Sequence, residues 1–466
     1  MWVGRWAVLL FLLVVPGCVS LFQALGAHDV SRIAQILVCS IAVLVLAWGA
    51  VVRRIDGRLG GAEAVALSIA LSVALLSVWN APDRIAAMRE LAVFLGLFGM
   101  AAAVACGRSK RQLEVLAIVA MVAALLNSGL PIMLMASVVI QAQPLDLFTV
   151  VPGYDNPRFL NHVQTVMLPL AAIAASQSFR RGAFARLAWA AMALNFALIF
   201  FTQGRATGLA LLGASLLTLL LFGKAAVPLL RRLAIAATGG LLIHVVFFVW
   251  GPSLLGTLPE PWRAVADTRS FQERLNLWRL AIDYLVREPW LGVGPMHFAH
   301  YPNPTAAHPH NIYLQVASEW GLPMLLVIFA STGLAMWHMA RAIATSDRTE
   351  QSMGIALFCA LAAAAIDGVF SGNFVMPVSQ VWIAFAAGWG IAWTRLNSNS
   401  TNVLVDTHWR RAVSTACVLL VLVAQAWLWW SIAPEAADLT AHLGQVNASF
   451  SNNAPQAARF WSTGWF

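Results

Sequence analysis

Apolar runs of about 20 residues recur along almost the whole chain and are separated by short polar segments. A helix of about 20 apolar residues crosses the roughly 30 Å hydrocarbon core of a bilayer. The pattern predicts an all-α polytopic membrane protein with about 12–13 transmembrane helices. The predicted spans lie at about 6–25, 33–52, 62–80, 85–106, 113–140, 162–178, 187–203, 206–222, 233–250, 322–340, 353–372, 376–394 and 412–431.

The composition agrees with a membrane location. Hydrophobic residues make up 60% of the 466 residues and charged residues only 11%, whereas a soluble domain averages about 25% charged residues. The net charge of +9 comes from short basic clusters between apolar spans. Such clusters indicate membrane topology, so we expect membrane lipids around the chain and no nucleic-acid partner.

The basic clusters predict the orientation of the chain. When the spans are threaded alternately, all of these clusters lie on one side, which the positive-inside rule makes the cytoplasm. We therefore expect a multi-pass protein of the bacterial inner membrane with its N-terminus in the cytoplasm. The clusters comprise Arg53, Arg54, Arg58, Arg108, Lys110, Arg111, Arg180, Arg181, Arg186, Lys224, Arg231, Arg232, Arg341, Arg395, Arg410 and Arg411.

The spans divide the chain into four predicted regions. N-terminal transmembrane helices occupy 1–250, a long periplasmic loop 251–321, C-terminal transmembrane helices 322–431, and a periplasmic tail 432–466. The loop contains a capping box at Ser270–Glu273, which predicts the start of an amphipathic helix that ends before Pro289. Its apolar face is predicted from residues at helical spacing, namely Phe271, Leu275, Trp278, Ile282 and Leu285.

Several arginines lie on the periplasmic side, where the topology rule disfavours them. At about 100° per residue, Arg274 and Arg279 flank the predicted apolar face and are expected to reach a cleft. Arg205 stands at the outer end of one span, with the next span beginning immediately, and Arg158 follows an Asn-Pro pair. Arginine holds phosphate groups bidentately. Snorkelling of Arg205 to the surface is the alternative interpretation.

The densest polar cluster of the periplasmic side is His308-Pro309-His310-Asn311. A histidine with a pKa near 6.5 can accept a proton at neutral pH, so an imidazole here is a candidate general base. The alternatives are a cap at the start of the next helix and a zinc site, although no nearby cysteine or carboxylate set completes a metal shell. Asp367, a carboxylate within an apolar span, is expected to orient a histidine or to pair with an arginine.

These motifs resemble the signature of the O-antigen ligase and polymerase superfamily. The resemblance covers about residues 200–325 and includes the Gly204-Arg205 element. Its further motifs are Arg274-x-x-x-Trp278-x-x-Ala281, Pro289-Trp290-Leu291-Gly292-Val293-Gly294, His308-Pro309-His310-Asn311-x-Tyr313-Leu314-Gln315 and Glu319-x-Gly321-Leu322.

The resemblance implies a GT-C-like glycosyltransferase that needs no metal, cofactor or nucleotide sugar. The implied donor is a glycan on undecaprenyl pyrophosphate, and the implied acceptor is a hydroxyl of the lipid A-core oligosaccharide. By position, His310 would be the general base, with His308 and Asp367 as supporting residues. Arg205 and Arg274 would hold the pyrophosphate, and Arg158 and Arg279 are further candidates for that role.

Two other reactions share this donor. An O-antigen polymerase extends the glycan on its carrier, and a protein O-oligosaccharyltransferase moves the glycan to serine side chains. A different class, a transporter of lipid-linked glycans, would place charged residues throughout the spans and show internal repeats. The polar residues instead concentrate at one face of the predicted bundle, so the sequence favours a transferase.

Overall fold

The computed structural model describes residues 26–51, 61–106, 109–141, 143, 151, 153–176, 182–254, 269–301, 303, 305–398, 408–449 and 458–466. The predicted span at 6–25 lies outside the described residues, as do parts of several basic clusters and the beginning of the long loop.

Helices account for 83% of the described residues, and these residues contain no strand. The long helices are Ala27–Val51 (α1), Gly61–Asn80 (α2), Arg84–Ala105 (α3), Lys110–Ile140 (α4), Pro157–Ala174 (α5), Ala183–Phe201 (α6), Arg205–Phe222 (α7), Val227–Ile243 (α8), Arg269–Arg287 (α9), Ile312–Trp320 (α10), Leu322–Thr345 (α11), Arg348–Asp367 (α12), Pro377–Asn397 (α13), His408–Ala437 (α14) and Leu439–Ser449 (α15). A π-helical stretch, His244–Trp250, continues α8.

The chain is a polytopic, all-helical membrane protein. Nine of the described helices are long and apolar enough to cross a bilayer: α1, α3, α4, α6, α7, α8, α11, α12 and α14. Helices α2, α5 and α13 also lie at predicted spans. The apolar part of α2, Val65–Asn80, is shorter than a full span, and α5 carries buried polar residues such as Asn161 and Gln164.

Helix α5 lies at the centre of the described bundle. Most of its residues are buried, and it packs against α4, α6, α12 and α13. Helix α12 contacts both α5 and α7. Alanines such as Ala171 on α5 and Ala363 on α12 are fully buried, and small residues let helix backbones approach closely. This packing brings the beginnings of α5 and α7 to the end of α12.

The amphipathic helix α9 forms as predicted, but its buried face differs from the predicted one. Leu277, Ala281 and Tyr284 are buried, whereas Ile282 is 45% exposed. The buried residues pack against the segment that contains Phe298. The prediction for Ile282 was wrong because the loop after α9 folds back onto this helix and covers the neighbouring face.

The last nine residues pack into the bundle as a buried C-terminal segment, 458–466. Ser462 donates from its backbone N and from its hydroxyl to the carboxylate of Asp29, at 2.7 Å each. His28 is 3% exposed and lies in the first turn of α1, which begins earlier than the predicted span at 33–52. The polar start of α1 is buried because this segment covers it.

Candidate active site

A cavity of about 330 Å³ opens where α5 and α7 begin and α12 ends. Among the described residues that line it, none is an aspartate or glutamate. The lining residues are Asn156, Arg158, Phe159, Asn161, His162, Thr202, Gln203, Gly204, Arg205, Ala206, Thr207, Arg274, Thr305, Ala306, His308, His310, Phe370, Ser371, Gly372, Met376 and Ala458.

Arg158 and Arg205 each stand in the first turn of a helix, α5 and α7 respectively. The positive end of a helix dipole disfavours a cation and attracts an anion. An anion bound at either position would therefore interact favourably with both the guanidinium group and the backbone N–H groups at the start of the helix.

The short turn before α7 is held by Asn161 of α5. The hydroxyl of Thr202 donates to Oδ1 of Asn161 at 2.9 Å, and the hydroxyl of Thr207 donates to its carbonyl at 2.9 Å. A Cβ on Gly204 would lie 2.9 Å from the Asn161 side chain. A larger residue at this position would have to displace the Asn161 side chain, so glycine suits the contact that fixes where α7 starts.

Helix α9 supplies Arg274 and holds the histidine loop. Nε1 of Trp278 donates to the carbonyl of Pro309 at 3.1 Å. Because Trp278 lies four residues after Arg274, both side chains leave the same face of the helix. Burial lowers the pKa of Arg274, the nearby Asp367 carboxylate opposes that effect, and Arg205 adds to it.

His308 and His310 lie side by side at the cavity. Their ring centroids are 4.1 Å apart, and the backbone N of His310 donates to Nδ1 of His308 at 3.3 Å. His310 has a φ of 52°, a left-handed conformation that costs a non-glycine residue about 1–2 kcal/mol. Asn311 then caps α10 by accepting from the backbone N of Tyr313.

Electrostatics keep both imidazoles neutral. Burial lowers the pKa of His310 to about 3, and Arg274 and Arg158 add to that effect. Burial also lowers the pKa of His308 well below its usual value, with a further contribution from His310. A neutral imidazole keeps one nitrogen lone pair available to accept a proton.

The structure brings together five of the seven residues singled out from the sequence: Arg158, Arg205, Arg274, His308 and His310 line one cavity. Asp367 lies just behind its wall, with Oδ2 at 3.5 Å from Nδ1 of the lining residue His162. Arg279 does not line the cavity, and its side chain is exposed. Its predicted orientation toward the cleft is not observed, because α9 buries the face that contains Leu277.

The glycines of the Pro289–Gly294 motif allow a close backbone crossing. A Cβ on Gly292 would lie 2.3 Å from the carbonyl carbon of Glu319, and one on Gly321 would lie 2.2 Å from the carbonyl oxygen of Trp290. Both glycines have positive φ angles. The backbone N of Val293 donates to the carbonyl of Ser318 at 2.8 Å. This crossing fixes α10 relative to α9.

A buried charge cluster lies next to the site. The guanidinium of Arg459 contacts Glu319 at 2.6 Å and Glu90 at 3.0 Å. Burial raises the pKa of the Glu319 carboxyl, and the positive charge of Arg459 opposes that rise. Oε1 of Glu319 also accepts from the backbone N of Phe298 at 3.0 Å. The C-terminal segment is thereby tied to the loop that leads to the histidines.

Sequence reasoning missed His162, Asn161 and the C-terminal segment. His162 lies four residues after Arg158, so the proline-started helix puts both on one face, a spacing that could have been used. Arg459 gave no comparable signal, because a lone arginine in a polar tail is usually solvated. Among the described residues no group of three or more His, Cys, Asp or Glu side chains could hold a metal ion.

Fold and site define a multi-pass membrane protein with a cationic, imidazole-bearing cavity at the end of its helices. The family model described as O-antigen ligase matches residues 190–329, a range that includes Arg205, Arg274, His308 and His310. The match supports membership of the O-antigen ligase/polymerase superfamily, as the motifs indicated. No curated protein matches the chain.

Proposed function

We propose that this protein is a glycosyltransferase that moves an O-antigen glycan from undecaprenyl pyrophosphate to a hydroxyl of the lipid A-core oligosaccharide. One observation carries the proposal: three arginines and three histidines line one cavity, and no carboxylate stands among the lining residues that the structure describes. A cavity of that charge is complementary to a diphosphate, and its imidazoles are suited to accepting the proton of a hydroxyl.

The arginines would bind the diphosphate. Arg205 and Arg274 come from different helices and line the same cavity, so they can hold two phosphate groups at once. Guanidinium groups donate bidentately to phosphate oxygens. They also stabilise the negative charge that develops when the glycosyl bond breaks, which is the electrostatic task a metal ion performs in other transferases. Arg158 is positioned to add a third positive charge.

His310 would be the general base. The acceptor oxygen attacks the anomeric carbon, its proton passes to a ring nitrogen of His310, and the bond from that carbon to the diphosphate oxygen breaks. The bonding electrons leave with the diphosphate, and the configuration at the anomeric carbon inverts. A base of this kind typically contributes about 10²–10⁴ in rate. His308, in contact with the base, would hold its ring in place.

The site would face the periplasm. Helix α7 begins with Arg205 at the cavity and ends just before Lys224, about 27 Å away at 1.5 Å per residue. Helix α13 likewise begins beside the cavity residue Met376 and ends near Arg395. The basic residues at the far ends favour the cytoplasm. This arrangement supports an inner-membrane protein with its active site at the periplasmic face.

The test uses purified protein, undecaprenyl pyrophosphate-linked glycan and lipid A-core, without nucleotide sugar. We expect a covalent glycan–core product from the wild type, and a rate about 10²–10⁴ lower for His310→Ala. His338→Ala, which removes an exposed histidine of α11, should keep the wild-type rate. A longer glycan on the carrier would mean a polymerase, a glycosylated protein substrate an oligosaccharyltransferase, and movement without a covalent product a transporter.

A further inference from the structure

Asp367 is a buried carboxylate that needs a positive partner. It ends α12, is 0% exposed, and neither of its carboxylate oxygens has a hydrogen-bond partner among the described residues. Burying a carboxylate without a positive partner is strongly unfavourable. Its ion-pair contact is with His162: Oδ2 of Asp367 lies 3.5 Å from Nδ1 of that residue.

His162 connects that carboxylate to the cavity. It lies on α5, one turn after Arg158, and it is 7% exposed. Its ring lies beside that of Phe159, with centroids 6.4 Å apart and planes 30° apart. Nδ1 is buried on the Asp367 side, while the residue lines the cavity. The other ring nitrogen, Nε2, is therefore the one available to a ligand.

We propose that His162, oriented by Asp367, is a further catalytic residue whose Nε2–H donates to the diphosphate oxygen as the glycosyl bond breaks. This inference rests on the proposed function. A carboxylate close to one ring nitrogen orients the ring and leaves the other nitrogen facing the cavity. The charged and titratable groups around His162 are Asp367, Arg158, Arg205, Arg274, His308 and His310.

The protons and electrons of this reaction balance. His310 takes one proton from the acceptor hydroxyl, and the electron pair of the broken carbon–oxygen bond goes to the diphosphate. Nε2–H of His162 donates a hydrogen bond to that diphosphate oxygen and keeps its proton. The proton held by His310 then passes to the released diphosphate, which restores His310. The net change is the transfer of the hydroxyl proton to the released diphosphate, which is the stoichiometry of the reaction.

A purely structural pair would also satisfy Asp367, and two amide substitutions separate these roles. In His162→Asn the amide replaces Nδ1, so it keeps a donor for Asp367 and loses the group that faces the cavity. In His162→Gln the amide reaches the position of Nε2, so it keeps a neutral donor to the ligand and loses the contact with Asp367. A structural role therefore favours asparagine, and the proposed role favours glutamine.

The experiment measures single-turnover kcat and the Kd for undecaprenyl pyrophosphate in the full-length protein. We expect kcat to fall about 10²–10³-fold in His162→Asn and distinctly less in His162→Gln. Asp367→Asn should lower kcat more in the wild type than in His162→Gln, because part of its effect passes through His162, whereas its effect on Arg274 is common to both. His244→Gln, a buried histidine outside the cavity lining, is the matched control and should keep the wild-type kcat.

An asparagine variant at least as active as the glutamine variant would overturn the inference, as would independent effects of His162→Gln and Asp367→Asn. Retained binding of undecaprenyl pyrophosphate shows that each variant is folded. If the wild type itself forms no glycosyl bond, the proposed function fails instead. The two failures are therefore distinguished by whether the wild type transfers glycan.

Discussion

His308 packs so closely on Gly372 that a Cβ added to Gly372 would lie 2.5 Å from Cε1 of the imidazole. Gly372 follows α12 and lines the same cavity as the histidines. Since real Cβ contacts are not this short, any side chain at this position must displace the ring of His308, whose centroid lies 4.1 Å from that of His310.

We therefore expect Gly372→Ala to slow transfer while the protein still folds. Displacement of a catalytic group by about 1 Å can cost up to about 10²-fold in rate, so we expect a 10- to 100-fold lower kcat. Gly333→Ala is the control, because a Cβ there meets nothing within 4 Å. Equal rates for the two variants would mean that the position of His308 does not affect the reaction.

The depressed pKa of His310 predicts an unusual pH dependence. In the free protein this pKa is about 3, so the imidazole stays neutral from pH 7.5 down to pH 5. Dividing the kcat/KM of the wild type by that of His310→Ala cancels the effect of pH on the ionisation of the substrates. We expect this ratio to stay constant, whereas a histidine with a pKa near 6.5 would lose about 30-fold between these pH values.

Bound diphosphate should change that behaviour. Its negative charge stabilises the imidazolium form and raises the pKa of His310 in the complex. Because kcat reports the complex and kcat/KM the free enzyme, loss of kcat on acidification should begin at a higher pH than loss of kcat/KM. If kcat and kcat/KM instead fell at the same pH, this would contradict an anion bound beside His310.

The buried contact between Arg459 and Glu319 predicts a large stability effect. Arg459→Met removes the cation that lies 2.6 Å from a fully buried carboxylate, which costs about 3–5 kcal/mol. Arg287→Met, at an exposed arginine of α9, should change stability by no more than about 0.5 kcal/mol. Unfolding in mixed detergent micelles measures the stability of both variants. A wild-type midpoint for Arg459→Met would show that the C-terminal segment contributes little to the fold.

The sequence predicted the membrane architecture well, for a physical reason. Length and hydrophobicity decide whether a helix can span a bilayer, and the short Thr202–Gly204 and Gly368–Met376 connections were both recognised because apolar runs stop and restart around them. The number of spans was hardest to predict at these same two connections, because both are very short.

The site was only partly predictable. Arg205 and His310 gave signals because polar residues stand out at the ends of apolar spans. The face of α9 was assigned wrongly, since hydrophobic periodicity cannot show that the following loop covers Leu277 and leaves Ile282 exposed. The contacts of Arg459 with Glu319 and Glu90 join residues far apart in the chain. No local pattern encodes such pairings.

The most direct test of the account is the affinity of the protein for undecaprenyl pyrophosphate. We expect Arg205→Gln combined with Arg274→Gln to weaken binding by at least about 100-fold, since each charge-assisted contact contributes about 1.5–3 kcal/mol. Arg279→Gln, which changes an exposed arginine on the same helix as Arg274, should bind as the wild type does. Unchanged affinity in the double variant would contradict the claim that this cavity holds the diphosphate.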